Sequence, residues 1–263
     1  MGGNTLMHRF IVAPKAFKND IVTFDKDDSK HMIKVLRHKM GDIVLAFDGI
    51  GTQYEVELSS IYDDKVSGRI LKAFNPGTEP KTKVILFQAV PKTDKMDWIV
   101  QKTVELGINK IVPMVTQYSV INIKEKSVDS RIERWNRISQ EACKQSGRVV
   151  VPEVTKPVSY EIALKQWDNI AGDSNNNSSL AVYCYEKEGK KCLKDLFKCY
   201  NISCINAIGV FIGPEGGFSI NELQLATDCR ITPVSLGKRI LRTETASIAV
   251  LSAIMYEMDE WCL

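Results

Sequence analysis

The sequence predicts an α/β protein in two parts, a small β-barrel at the N-terminus and a parallel, helix-covered sheet after it. Two observations carry this. The 263 residues exceed one average domain, and the pattern changes at NPGTEPK (75–81), whose Pro and Gly density marks a linker. Before it, apolar and polar positions alternate in short runs. After it, near-continuous apolar runs alternate with helical periodicity, as in strands buried on both faces. The expected domains are 7–76 and 77–263.

In the first part HRFIVA (8–13), DIVTF (20–24), DIVLAFD (42–48), TQYEVELSSI (52–61) and KVSGRILKAF (65–74) read as strands, with DGIG (48–51) as a hairpin turn. One helix interrupts them, DDSKHMIKVLRHK (27–39). Ser29 or Asp28 can cap it, Met32, Val35, Leu36 and Lys39 share a face, and Gly41 ends the run. Short strands around one helix suggest a small barrel of the kind that often carries RNA.

In the second part KVILFQAV (83–90) reads as a buried strand and TDKMDWIVQKTVELG (93–107) as a helix with Met96, Ile99, Val100 and Val104 on one side. NKIVPMVT (109–116) is the next strand. SVDSRIERWNRISQEACKQSGR (127–148) is a long helix with Ile132, Trp135, Ile138 and Ala142 inward. GDSNNNSS (172–179) is a polar surface loop. Three apolar strands follow, LAVYCYE (180–186), AIGVFIG (207–213) and ITPVSLG (231–237), each closing at a polar or Gly-bearing loop. The helix from Thr243 to Met258 is apolar on most sides and should be buried against sheet or partner.

Composition narrows the class. Hydrophobic residues make up 44% and charged residues 25%, ordinary for a globular protein. No run approaches the roughly 18 apolar residues of a membrane span, and residues 1–5 lack a secretory pattern, so a cytoplasmic address is expected. Seven cysteines without a CxxC read as scattered, partly buried thiols in a reducing compartment, with no metal site. The net charge of +3 names no partner, but residues 77–160 carry 14 basic against 9 acidic side chains, a local polyanion footprint or a solvated basic face.

Two loops stand out, FIGPEGGFS (211–219) and SLGKRILRTETAS (235–247). Both follow strands of the parallel sheet, where α/β proteins bind ligands. In the first, Gly213 permits close approach, Pro214 fixes a turn, and Gly216 and Gly217 expose amide N–H groups; Ser219 with Glu222 forms a capping box for the helix beyond. A phosphate cradle fails on detail, since neither GxxxxGK[ST] nor GxGxxG occurs and Glu215 would repel phosphate. A cationic or zwitterionic ligand fits better. In the second loop, Thr243 or Thr245 can cap the last helix, with Glu244 in its first turn and Arg242 at the mouth of the sheet.

These motifs closely resemble the C-terminal signature of the ribosomal RNA small subunit methyltransferase E family, SPOUT-class enzymes that methylate N3 of a uridine in 16S rRNA. HRFIV (8–12), HMIKVLRHKMGD (31–42), FDGIG (47–51), the stretch 92–116 and the stretch 134–154 are similar to other segments of that family in the same order. The resemblance implies a PUA-like β-barrel joined to a SPOUT α/β domain with a C-terminal trefoil knot, and a homodimer formed through the knot. It implies S-adenosylmethionine as cofactor, held by Ile212, Gly213, Gly216, Gly217, Ser235, Leu236, Gly237, Ile240, Leu241, Thr243 and Thr245.

Uridine N3 carries a proton and attacks only once that proton is lost, so charge spreading onto the ring oxygens needs stabilising. Arg242 is the candidate for that role. Glu244 and Glu215 are both candidates to accept the proton, and both equally suit capping or loop packing. All three histidines, His8, His31 and His38, lie in the barrel, leaving none for acid–base work in the second domain. Arg9, Arg37, Lys92 and Arg148 are the candidate RNA contacts. The rivals are an RNA-binding module with an inactive second domain, distinguished by cofactor titration, and a nucleotide-dependent α/β enzyme, which would need a phosphate loop.

Overall fold

The computed structural model describes residues 7–92, 94–119, 128–172 and 178–262. Most of the expected loop at 172–179 lies outside them, as do residues 1–6. The chain forms two compact units, Met1–Glu79 with Cys143–Val151, and Pro80–Ala142 with Pro152–Leu263.

The first unit is a curled six-stranded sheet built from β1 (Arg9–Ile11), β2 (Phe17–Lys18), β3 (Ile21–Thr23), β4 (Ile43–Phe47), β5 (Gln53–Tyr62) and β6 (Lys65–Phe74), in the order β1-β4-β5-β6-β3-β2. Only the β1–β4 pair is parallel. Alternation places Phe10, Val22, Val44, Ala46, Val56, Leu58 and Val66 in one core. The DGIG turn is pinned by Asp48, whose Oδ1 accepts from the backbone N–H groups of Ile50, Gly51 and Thr52 at 2.9–3.0 Å.

The helix of this unit departs from expectation. It begins one turn earlier, as α1 (Lys26–Lys30), because Asp25 caps it through a 2.7 Å bond from the Asp28 N–H. Ser29 is instead buried, donating to Phe24 O and accepting from Val66 N, so it staples helix to sheet. From His31 to Val35 the helix widens into a π-turn, which adds a residue to the turn and rotates the face. Met32 stays buried, whereas Val35 is 64% exposed and Lys39 points to solvent.

The stretch expected as a linker is tied down. The Glu79 carboxylate accepts from Arg148 Nε at 3.0 Å and Nη2 at 2.6 Å, and from the backbone N–H groups of Val149 and Val150 at 2.9 and 3.1 Å. Residues 143–151 consequently complete the first unit, although they lie far beyond Pro76 in sequence.

The second unit is a seven-stranded, wholly parallel sheet. Its elements are β7 (Lys83–Ala89), α2 (Lys95–Glu105), β8 (Lys110–Val115), α3 (Val128–Ser146), β9 (Glu153–Val154), β10 (Val158–Ser159), α4 (Tyr160–Gly172), β11 (Ser179–Cys184), α5 (Leu193–Phe197), β12 (Ala207–Ile212), α6 (Ile220–Asp228), β13 (Thr232–Val234) and α7 (Thr243–Glu257); the last turn of α3 falls in the first unit. The strand order is β10-β8-β7-β12-β11-β13, with β9 also on β8. β12 is buried at every position, as a central strand covered on both faces must be. Phe87 stacks on Phe211 at 4.4 Å and Tyr183 on Phe218 at 4.3 Å. α2 buries Met96, Ile99, Val100 and Val104, the face its periodicity predicts.

Two expectations need correcting. α7 is capped by no side chain: Arg242 occupies the N-cap position, and Thr243 and Thr245, the expected caps, both lie inside the helix, Thr243 with its hydroxyl turned to another loop. The sheet covers only part of α7, leaving Ala249 and Ala253 exposed and Tyr256 72% exposed. Of the cysteines, Cys143 is buried, but Cys192, Cys199, Cys204 and Cys262 are exposed.

Candidate functional site

Pairing aligns Gln88 of β7, Ile212 of β12, Cys184 of β11 and Val234 of β13 in one row across the sheet. Each strand ends at this row or within a residue of it, so the loops that follow emerge on one edge. Ile212 is buried and closes β12; the chain then turns through Gly213 and Pro214 to the exposed Glu215 and Gly216. Gly217 adopts φ +70°, which favours glycine, and a Cβ there would stand 2.5 Å from Glu186 Oε1, the movable end of that side chain. The turn hands the chain to α6 through the expected capping box, with Ser219 N donating to Glu222 Oε2 at 2.8 Å. Glu222 Oε1 also accepts from Gln117 N at 2.8 Å, which fixes the far side of the loop.

The second loop leaves β13 at Val234. Ser235 closes a tight turn on Gly237, accepting from its N–H at 3.2 Å and donating to its carbonyl at 3.1 Å. Gly237, at φ +112°, has open space where a Cβ would stand. Leu236 and Leu241 are half-buried, while Ile240 is 84% exposed, an apolar side chain with no protein surface to cover it. The loop then reaches α7, whose Thr243 Oγ1 donates to Gly213 O at 2.7 Å and so joins the two loops. Thr245, one turn face away, is exposed.

A buried polar chain holds that junction. Gln88 Nε2 donates to Thr243 Oγ1 at 3.0 Å, and Ser247 Oγ donates to Gln88 Oε1 at 2.6 Å. Gln88, Thr243 and Ser247 are all buried. A fully satisfied network of this kind fixes position more than it adds stability. Sequence reading passed over Gln88 and Ser247; the signal available was a lone amide in the apolar run KVILFQAV and a serine one turn after Thr243.

The charged residues divide. The exposed Arg242 side chain has no hydrogen-bond or ion-pair partner among the described residues. Glu215 accepts from Lys95 Nζ at 2.9 Å and from the Lys92 backbone N–H at 3.2 Å, and Lys95 Nζ also lies 3.5 Å from Glu244 Oε2. Lys95 was not anticipated; only its place in the first turn of α2 pointed to it. Lys92 itself is exposed.

The expected RNA contacts of the first unit are unequal. Arg9 is half-buried over the Phe47 ring at 4.9 Å and donates to Gln53 Oε1 and to the carbonyls of Cys143, Lys144 and Arg148. Burial pulls its pKa below the usual guanidinium value. Arg148 is 3% exposed and held by Glu79. Arg37 is exposed and adopts φ +57°.

A family profile for an RNA methyltransferase domain matches residues 78–255, and one for an RNA methyltransferase PUA domain matches residues 24–71. The chain is 32% identical over 235 residues to the ribosomal RNA small subunit methyltransferase E of Bacillus subtilis (strain 168), covering 89% of each chain. It is 30% identical over 251 residues to that of Rickettsia conorii (strain ATCC VR-613 / Malish 7), covering 94% of each. Among solved structures it is similar, at TM-score 0.81 and 29% identity, to a ribosomal RNA small subunit methyltransferase E from Neisseria gonorrhoeae bound to S-adenosyl methionine, covering 95% of this chain and 98% of that one. The fold class expected from sequence, a PUA-like barrel with a SPOUT α/β domain, is the one these matches carry. Near-full-length similarity of this order places the chain in the ribosomal RNA small subunit methyltransferase E family.

Proposed function

We propose that this chain transfers a methyl group from S-adenosylmethionine to N3 of a uridine in the 16S rRNA of the small ribosomal subunit. The observation that carries the reading is the junction itself. Two backbone-rich loops meet through Thr243 and Gly213, with an unpaired Arg242 beside them and carboxylates in place of phosphate ligands.

The residues present suit the cofactor. Glu186 over Gly217, Glu215 in the turn and Glu244 on α7 favour a ligand carrying positive charge and would repel phosphate. Exposed loop backbone and the uncovered Ile240 suit an adenosine. On this reading Ile212, Gly213, Gly216, Gly217, Ser235, Leu236, Gly237, Ile240, Leu241, Thr243 and Thr245 hold it. When bound, it supplies an electrophilic methyl group on a sulfonium. The protein's part is to remove the N3 proton and to stabilise the charge left on the uracil oxygens, the latter through Arg242.

The two domains divide the work, the 7–76 barrel binding RNA and the 77–263 domain performing the chemistry. Arg37 and Lys92 are the better RNA contacts, because the guanidiniums of Arg9 and Arg148 are turned inward. The same reading includes a trefoil-knotted C-terminal region and a homodimer. The open face of α7, with Ala249, Ala253 and Tyr256 exposed, supports a partner copy there. Among the described residues no helix is long and apolar enough to cross a membrane; a cytoplasmic location belongs to the proposal because the ribosomal subunit does.

The test is incubation of unmethylated small subunits with the protein and labelled S-adenosylmethionine, followed by mass mapping of the modified nucleotide. Label at uridine N3 is the expected result. Label at any other base position overturns the assignment.

A further inference from the structure

Glu215 and Glu244 are interchangeable in sequence as proton acceptors, but one ammonium group separates them. Lys95 Nζ stands 2.9 Å from Glu215 Oε1 and 3.5 Å from Glu244 Oε2. The Glu215 carboxylate is well supplied with donors: besides Lys95, the Lys92 N–H reaches Oε1 at 3.2 Å and Oε2 at 3.4 Å. Burial raises the Glu215 pKa, yet the hydrogen bonds from Lys95 and from backbone N–H groups outweigh it and hold the carboxyl below the usual range. A carboxylate so stabilised is a poor base.

Glu244 is placed differently. Its Oε2 is buried and, among the described residues, has only the marginal 3.5 Å approach of Lys95 Nζ, against the three closer contacts that Glu215 receives. A buried carboxylate oxygen so thinly supplied is uncommon and calls for a donor from elsewhere. It belongs to the first turn of α7, two residues from Arg242 and next to the Thr243 that holds the two loops together. Lys95 itself stays protonated, since its hydrogen bond to Glu215 raises its pKa against the opposing effect of burial. It cannot then be the base.

We propose, resting on the methyltransferase reading above, that Lys95 is a positioning residue: it commits Glu215 to holding the glycine loop and leaves the partly exposed Glu244 carboxylate to take the proton from uridine N3. In that step the N3–H bond breaks, its electron pair stays on N3, and the proton bonds to the Glu244 carboxylate, later to leave to water. The Lys95 charge is retained throughout.

Four variants test this, Lys95→Ala, Lys95→Arg, Glu215→Gln and Glu244→Gln, each read by methyl transfer to unmethylated small subunits and by carbon-13 NMR titration of the side-chain carboxyls in ligand-free protein. Glu244→Gln should lower kcat about 100-fold or more with KM little changed, the loss typical of a removed general base. Glu215→Gln should lower it by about tenfold at most and raise KM for the cofactor, as loss of loop positioning does. Lys95→Ala should move the Glu215 titration midpoint upward, and Lys95→Arg should restore both midpoint and rate. A larger kcat loss for Glu215→Gln than for Glu244→Gln, or a Glu215 midpoint unmoved by Lys95→Ala, overturns the inference. Wild-type protein that methylates no small-subunit RNA would instead refute the functional reading, while the NMR arm would still decide whether Lys95 controls Glu215.

Discussion

Arg148 in the first unit and Arg242 in the second are both arginines beside a chain turn, and the sequence predicts that both face a ligand, one RNA and the other the reacting base. One is 3% exposed and gripped by Glu79; the other reaches solvent with no partner among the described residues. What separates them is the acceptor that distant chain brings. Glu79 lies 69 residues from Arg148 and places two oxygens around its guanidinium and the following amides. Nothing comparable meets Arg242, whose charge stays available at the loop junction. An arginine builds structure where a carboxylate has been folded against it, and can act on a ligand where none has.

This contrast can be broken most forcefully at Arg148. Arg148→Ala leaves Glu79 inside without its cation and should cost about 3–5 kcal/mol, read as a lower urea midpoint; a cost under about 1 kcal/mol, the level of a surface pair, would make the clamp incidental. Arg242→Ala should do the reverse. Methyl transfer should fall about 100- to 1,000-fold, the loss typical of one preorganised donor, while denaturation shifts by no more than about 0.5 kcal/mol, as for an exposed side chain. Wild-type turnover by that variant would remove Arg242 from the chemistry.

Gly217→Ala should cost about 1–2 kcal/mol through its positive φ and its closeness to Glu186. Adding Glu186→Ala should return the steric share alone, so full recovery in a denaturation curve would show that the backbone angle is harmless. The smallest effect is expected at Arg37. Arg37→Ala should weaken RNA binding modestly and reduce the slope of log affinity against log salt by about 1, as loss of one phosphate contact does; an unchanged slope would leave it a solvated side chain.

What could be read in advance follows the range of the forces involved. The capping box of Ser219 and Glu222, the buried face of α2 and the strand β12 were legible because each is decided by residues within a few positions of one another. The start of α1 was misplaced because Asp25, just outside the expected run, caps better than Ser29, whose hydroxyl is claimed by Val66. The short elements β9, β10 and α5 were not anticipated, the strands being two residues each and held by pairing with β8, and the 13-residue α4 was passed over as well. At the site, the glycine loops announced themselves. Lys95, Gln88 and Ser247 did not, since their partners lie 120, 155 and 159 residues away.

The buried chain from Gln88 through Thr243 to Gly213 also sets an order of events during synthesis. Gln88 is made early and its Nε2 has Ala89 O beside it, yet its carbonyl and its bond to Thr243 wait until α7 has been made and docked. Until then a polar side chain waits in an apolar strand, and the carbonyl of Gly213 waits with it. Closing such distant contacts is slow, because the loop entropy must be overcome first. The junction between the two loops therefore forms only after α7 has emerged and docked.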